Sequence, residues 1–339
     1  MDIAERAPNV FDPDLIYLLN SKRWLADAIA KTDGDLPAPN DILIDTEIKC
    51  ERHITKHGFW YNGGRGCQTC TLAIPVEAAR VTKILEERKL PYVLKLTQSL
   101  SSVGTNIVTT EDQRSDTTKK IRRTLLDYLP RISKENAHLY PMTKVLSDLI
   151  PGRTMALNFF VRRDGSCLFS GACHQLATGM TGRQNTAITY ADQEKLEQHY
   201  RPTLEKMSKL LHNEGYYGQV GIDIMEDAEN GKQYVIDANV RTALSMLLYQ
   251  LRGHFERHGH KMAMVYECIF MSVPREEFEE NFSDEFEEAR IVILGGTKLG
   301  KKNVWGFGVV LAGADKDELD DLSDRILKLE TKAHTVPSD

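Results

Sequence analysis

The sequence predicts an α+β fold, and three observations carry that prediction. Helical periodicity recurs in well-separated stretches, at Asp14–Lys31, Val76–Arg88, Glu111–Tyr128 and Ala191–Glu214. Between them, apolar strands come as adjacent pairs joined by polar turns, which is the pattern of antiparallel hairpins. The clearest pair is Met155–Arg162 and Ser166–Gln175, linked by Arg163-Asp164-Gly165. The third observation is length: 339 residues suffice for two or three lobes, each with its own core.

The elements follow in order. Leu15, Leu18, Leu19, Leu25 and Ile29 share a helix face in Asp14–Lys31, which Pro37 and Pro39 follow; Asp41–Asp45 then reads as a short strand. Residues 46–75 are rich in Cys, His and Gly and read as irregular. Helix Val76–Arg88 leads to strand Tyr92–Leu96 and a Ser/Gly-rich turn over Thr97–Gly104. After helix Glu111–Tyr128, strand Lys144–Ile150 runs into the Pro151-Gly152 turn and the hairpin above. Ala191–Glu214 ends at Gly215, a C-cap glycine. Strands Gly218–Met225 and Gln233–Asn239, helix Leu244–Glu256 and strand Met262–Met271 come next. The chain closes with strands Ala289–Leu294 and Val304–Ala312 and the amphipathic helix Asp317–Leu329. The acidic run Glu276–Glu288 reads as a solvated helix face.

Composition narrows the function. The mix of 41% hydrophobic and 27% charged residues is that of a soluble globular protein, and no apolar run is long enough to span a membrane. The first residues lack the basic and apolar regions of a signal peptide, and six thinly spread cysteines fit reduced thiols in the cytoplasm. A net charge of −6 argues against nucleic acid as the partner.

The most informative stretch is Gly218–Arg241. Asp237 and Asn239 share a face of one strand, Asp223 lies on the strand before, and all three are flanked by Val and Ile. Strands disfavour Asp and Asn, so three together imply something that offsets their charge, and a hard cation such as Mg²⁺ does so with oxygen ligands. Register decides whether one ion reaches all three. A two-residue turn at Asn230-Gly231 would pair Asp223 with Ala238 and turn it away from Asp237. A single site therefore requires a different loop or a bulge.

These residues resemble the metal-binding end of the ATP-grasp superfamily, in which an acidic residue on one strand is followed by an acidic-x-Asn-x-Arg element on the next. The resemblance covers roughly residues 14–272 by order of elements. It implies that Asp223, Asp237 and Asn239 ligate Mg²⁺, or Mn²⁺ in its place, on the phosphates of ATP, with Arg241 a catalytic anion clamp. Asp237 stands where the family more often has Glu.

Upstream, Lys95 leaves an apolar strand straight into a Ser/Gly-rich turn, a backbone suited to presenting N–H groups to a phosphate. In the family this strand carries a nucleotide-binding lysine, and Ser101-Ser102-Val103-Gly104 resembles the phosphate loop of the D-alanine–D-alanine ligase branch. Lys95 is thereby the second catalytic candidate, with Ser101, Ser102 and Gly104 around phosphate. Lys22, in the helix before Leu36-Pro37-Ala38-Pro39, matches the family's other lysine. Ser147, Asp148 and Leu149 match its adenine-binding hinge, although the usual glutamates are absent.

The resemblance implies two α+β lobes clasping nucleotide, plus a small C-terminal α/β unit. The expected divisions are 1–75, an N-terminal part with the Cys/His-rich insertion; 76–150, the small lobe with the phosphate loop; 151–272, the large lobe with the metal site; and 273–339, the C-terminal unit. The family's N-terminal Rossmann-like lobe has no counterpart in this arrangement: either it was lost, or another subunit supplies it, or the chain is a fragment of a longer product; a homodimer or a separate substrate-binding subunit is the partner to expect. The implied function is an ATP-dependent carboxylate–amine ligase that activates a small acid as an acyl phosphate; the alternative is a non-catalytic, regulatory ATP-binding module.

Three further features were weighed. Gly295–Lys302 nearly matches a P-loop, but Lys302 stands where Ser or Thr would bind Mg²⁺ and a strand follows, so it reads as a basic β-turn. Cys50, His53, His57, Cys67 and Cys70 match no standard finger spacing; an ordinary insertion is the expectation, with a zinc site and a Cys67/Cys70 redox pair the lesser alternatives. His174 and Arg183 could face substrate.

Overall fold

The computed structural model describes residues 13–56, 58–96, 104–137, 143–178, 183–299 and 304–330. The chain divides into two compact units: residues 1–152 with 227–238, and residues 153–226 with 239–339.

In the first unit, the expected helix Asp14–Lys31 is two helices, α1 (Pro13–Leu19) and α2 (Lys22–Ala30). The break lies at Ser21, whose hydroxyl caps α2 by accepting the Arg23 N–H. A four-stranded antiparallel sheet follows the order β1 (Ile42–Ile44), β4 (Lys144–Asp148), β2 (Tyr92–Leu96), β3 (Thr105–Val108). Two long helices cover one face. The first, α3 (Gln68–Glu87), begins eight residues before the expected start, because Pro75 lies inside it rather than ahead of it. Burial of Cys70, Ile74 and Ala78 along its inner face offsets the interior proline. The second, α4 (Glu111–Tyr128), has its expected bounds, fixed by a capping box between Thr110 and Gln113. Tyr92 and Leu94 of β2 are fully buried in the core with Val81, Leu85, Ile121 and Leu125. Alternation therefore sends Lys95 to the opposite face of the sheet.

The second unit is built on antiparallel strands in the order β11-β12-β10-β7-β6-β5-β8. These are β5 (Gly152–Val161), β6 (Cys167–Thr178), β7 (Arg183–Thr189), β8 (Gly218–Asp227), β10 (Met262–Met271), β11 (Ile291–Lys298) and β12 (Trp305–Gly313). The hairpin between β5 and β6 turns where Arg163-Asp164-Gly165 predicts, with Gly165 at φ +78°. Helix α5 (Gln193–Asn213) and the paired helices α6 (Leu244–Gln250) and α7 (Arg252–Arg257) complete the middle of the unit. The C-terminal segment, expected as a separate unit, extends the same sheet: β12 pairs with β10 from Met262↔Gly313 to Met271↔Trp305. The acidic run forms α8 (Arg275–Asn281) and α9 (Ser283–Glu287), which are not wholly solvated. Phe278 and Phe282 are buried, and Glu285 is buried beside Arg325. Gly295–Lys298, the first part of the P-loop likeness, is strand and lies inside β11. Helix α10 (Lys316–Leu327), capped by Asp315, ends the described chain.

Candidate active site

β9 (Gln233–Asn239) carries the centre of the site. The connection leading into it is not a two-residue turn at Asn230-Gly231. Asp227 N–H donates to Lys232 O at 3.0 Å and Gly231 N–H to Asp227 O at 2.8 Å, closing a longer loop. Along β9 the buried residues are Val235 and Ala238, three apart, so the strict two-residue alternation slips by one between them.

Two buried lysines converge at that slip. Lys22, the first residue of α2, is 9% exposed, and its Nζ donates to both carboxylate oxygens of Asp237, at 3.0 and 2.9 Å. Lys95, also 9% exposed, donates from Nζ to the Ile236 carbonyl at 2.8 Å. Ammonium groups with so little water need oxygen partners, and consecutive residues of one strand supply them. Lys22, Lys95 and Asp237 are therefore one cluster within the first unit.

Past Lys95, Leu96 N–H donates to Gly104 O at 3.1 Å, which ties Gly104 to β2. Gly104 has φ +92° and a Cβ there would come within 3.0 Å of the Leu96 side chain, so the position requires glycine. Ser101 and Ser102 lie outside the described residues. At the expected hinge, the Ser147 hydroxyl donates to Asp41, and Asp148 takes Arg88 Nη2 at 2.5 Å and Asn40 Nδ2 at 3.1 Å. Both side chains are thus engaged within the unit; Leu149 is half-buried. Asp41 was missed from the sequence. Burial raises its carboxyl pKa, while the Ser147 hydrogen bond and the Lys95 charge pull it down, which places it beside the lysine.

In the second unit, Asp223 accepts from Gln175 Nε2 at 2.8 Å. Gln175, on β6, orients that carboxylate and carried no sequence signal. Asn239 is half-buried and Arg241 exposed, and Arg241 N–H donates to Asn239 O at 2.8 Å, a tight bend leaving β9. His174 is half-buried on β6, where burial and the Arg153 charge lower its pKa; Arg183 opens β7.

No family model and no curated protein matches this sequence. Solved structures do match it. An N5-carboxyaminoimidazole synthetase from Staphylococcus aureus, complexed with ADP, aligns at a TM-score of 0.54 with 12% identity, over 92% of this chain and 72% of that one. A phosphoribosylamine–glycine ligase from Thermotoga maritima aligns at 0.53 with 12% identity, over 93% and 77%. An L-amino acid ligase from Bacillus licheniformis aligns at 0.52 with 10% identity, over 96% and 75%. The fold is ATP-grasp.

The Cys/His segment lies in the first unit. Cys50, His53, Cys67 and Cys70 bring their donor atoms within 4.8 Å of one another. His57, which spoiled the spacing, lies outside the described residues; without it the order is C-x2-H-x13-C-x2-C. Cys67 opens α3, and its thiol pKa is lowered to about 6, chiefly by the Cys70 backbone N–H. The Cys70 thiol is raised, chiefly by burial. No described helix is long and apolar enough to cross a membrane.

Proposed function

We propose that this chain is an ATP-dependent carboxylate–amine ligase. The observation that carries the reading is the convergence of Lys22 and Lys95, each 9% exposed, on Asp237 and Ile236 of β9. Buried ammonium groups around a partly accessible carboxylate suit a polyanionic ligand with its counter-cation. The ATP-grasp fold, shared with ligases solved as nucleotide complexes, supports the same reading.

In this proposal Asp223, Asp237 and Asn239 hold Mg²⁺, and their hard oxygen donors fit that ion. When bound, the ion neutralises phosphate charge during phosphoryl transfer. Gln175 keeps the Asp223 carboxylate oriented through its 2.8 Å hydrogen bond. Lys22 fixes Asp237 and adds positive charge, Lys95 places its ammonium at the phosphate loop, and Arg241 clamps the acid or the transferred phosphoryl group. Gly104 borders phosphate, to which Ser101 and Ser102 are assigned from sequence alone, and the backbone of Ser147, Asp148 and Leu149 faces adenine. A carboxylate oxygen of the acid attacks the γ-phosphorus while its bond to the bridging oxygen breaks, releasing ADP. An amine then attacks the acyl carbon, inorganic phosphate leaves, and the nitrogen gives up its proton. The chain supplies position and charge rather than a covalent nucleophile.

ADP release, measured with Mg–ATP against pooled amino and hydroxy acids with and without amines, tests the reading. Release that requires both an acid and an amine supports it. Nucleotide binding without acid-dependent release in any pool would leave a regulatory ATP-binding module instead.

A further inference from the structure

We propose that Cys50, His53, Cys67 and Cys70 hold a structural zinc ion that pins the segment between β1 and α3 onto the core of the first unit. All the donor atoms lie within 4.8 Å of one another, and three of the six separations match the edges of a tetrahedral site. With Zn–S near 2.3 Å and Zn–N near 2.05 Å, tetrahedral edges are about 3.75 Å between sulfurs and about 3.5 Å between sulfur and nitrogen. Cys50 Sγ lies 3.8 Å from Cys67 Sγ, and His53 Nδ1 lies 3.3 Å from Cys50 Sγ and 3.5 Å from Cys70 Sγ. A disulfide would hold its sulfurs at about 2.05 Å, and all three cysteines are free.

Local structure presents these donors from two rigid pieces. Cys50 and His53 flank a tight turn closed by the His53 N–H on Cys50 O at 2.7 Å. Cys67 is the N-cap of α3, and Cys70 lies in its first turn. A short hairpin with an Ile54↔Trp60 bridge lies between the pieces. Cys50 and Cys67 are 4% exposed and Cys70 0%, which closes the site to water, as in structural rather than catalytic zinc centres. The surroundings fit as well. The indole N–H of Trp60, one residue of the Ile54↔Trp60 bridge, is buried and meets no partner within hydrogen-bonding limits. Gly63 lies against the His53 ring so closely that a Cβ there would come within 2.1 Å of Cε1. Soft sulfur and imidazole donors select zinc over Mg²⁺, so this site and the oxygen-lined one do not compete for an ion.

The test is metal analysis of the purified full chain by plasma mass spectrometry, with cobalt substitution as a second readout. The expected result is one zinc per chain after dialysis and, with cobalt, the visible bands of a tetrahedral thiolate complex. Stripping zinc should lower the melting temperature by at least about 10 °C. Two glycine variants sharpen the test without removing a ligand. Gly63→Ala should retain less than half of the zinc, whereas Gly66→Ala, with nothing within 4 Å of its added methyl, should retain all of it. Wild-type chain prepared with zinc but carrying less than about a tenth of an equivalent, or a Cys50–Cys67 disulfide in the freshly isolated chain, would overturn the proposal. So would equal zinc in the two glycine variants when both fold.

Discussion

The cluster at Lys22, Lys95 and Asp237 and the cluster at Cys50, His53, Cys67 and Cys70 share one compact unit but are built for opposite exchanges with solvent. The first sets nitrogen cations against oxygen anions, and its carboxylate keeps 25% of its side-chain surface. The second gathers sulfur and imidazole, with its cysteines nearly sealed. Charge held open to a ligand stays available for binding, whereas donors sealed around one another can only be filled by something small that stays. The difference teaches where to look for chemistry and where for stability.

The largest expected effect falls on the open cluster. Asp237→Asn keeps the shape and removes the charge that Lys22 contacts. ADP release should fall by at least about 10²-fold, in line with losing a charge-stabilising group at a phosphoryl-transfer site. Stability should fall by only about 1–3 kcal/mol as Lys22 keeps an oxygen partner. Turnover within about twofold of wild type would erase the functional half of the contrast.

Buried charge outside either cluster sharpens the comparison. Lys144 on β4 is 1% exposed, and burial depresses its pKa to about 8, against the opposing charges of Glu77 and Asp45 and with the help of Arg80. Because the folded-state value lies below the unfolded one, the folded chain binds fewer protons between about pH 8 and 10.5. Stability should therefore rise with pH through that window and be lowest, for this group, below pH 8. Lys144→Met should flatten that rise and add about 1–3 kcal/mol near pH 7, with Glu77 still held by Arg80. Denaturant melts of both proteins at pH 7 and pH 10 check it. A loss of stability at pH 7 would mean that the attraction of Lys144 to Glu77 and Asp45 outweighs the cost of burying its charge.

The smallest effect belongs to a change that touches neither cluster. Thr110→Ala breaks the capping box of α4 and should cost about 1 kcal/mol, with ADP release per folded molecule unchanged. Chemical denaturation and the release assay together give the baseline against which the larger effects are judged.

The legibility of the two clusters differed for physical reasons. Asp223, Asp237 and Asn239 stood out because strands reject such residues, a rule that works on neighbours in sequence. The same local rules fixed β2, α4, β9 and β10 with their observed bounds. They failed where tertiary context prevailed. Pro75 reads as a stop, yet α3 runs through it because its inner face is buried. Ser21 reads as an interior residue, yet it caps α2 and so makes Lys22 the first residue of that helix. β3 is four residues long and β7 seven, and neither shows a clear period in the sequence. Asp41 and Gln175 have no local mark, since each acts through a partner distant in the chain. For the Cys/His segment, counting His57 hid a regular order that only folding of residues 50–70 reveals.

Calorimetric titration of Mg–ATP into the wild-type chain and Lys95→Met tests most directly whether the buried lysines of β2 and α2 form a nucleotide site. Met preserves the apolar stem that packs along β2 and removes only the ammonium that reaches Ile236. The account predicts stoichiometric binding to wild type and at least about a tenfold weaker affinity for the variant, the loss expected of a phosphate-facing charge. Equal affinities in two equally folded proteins would contradict it.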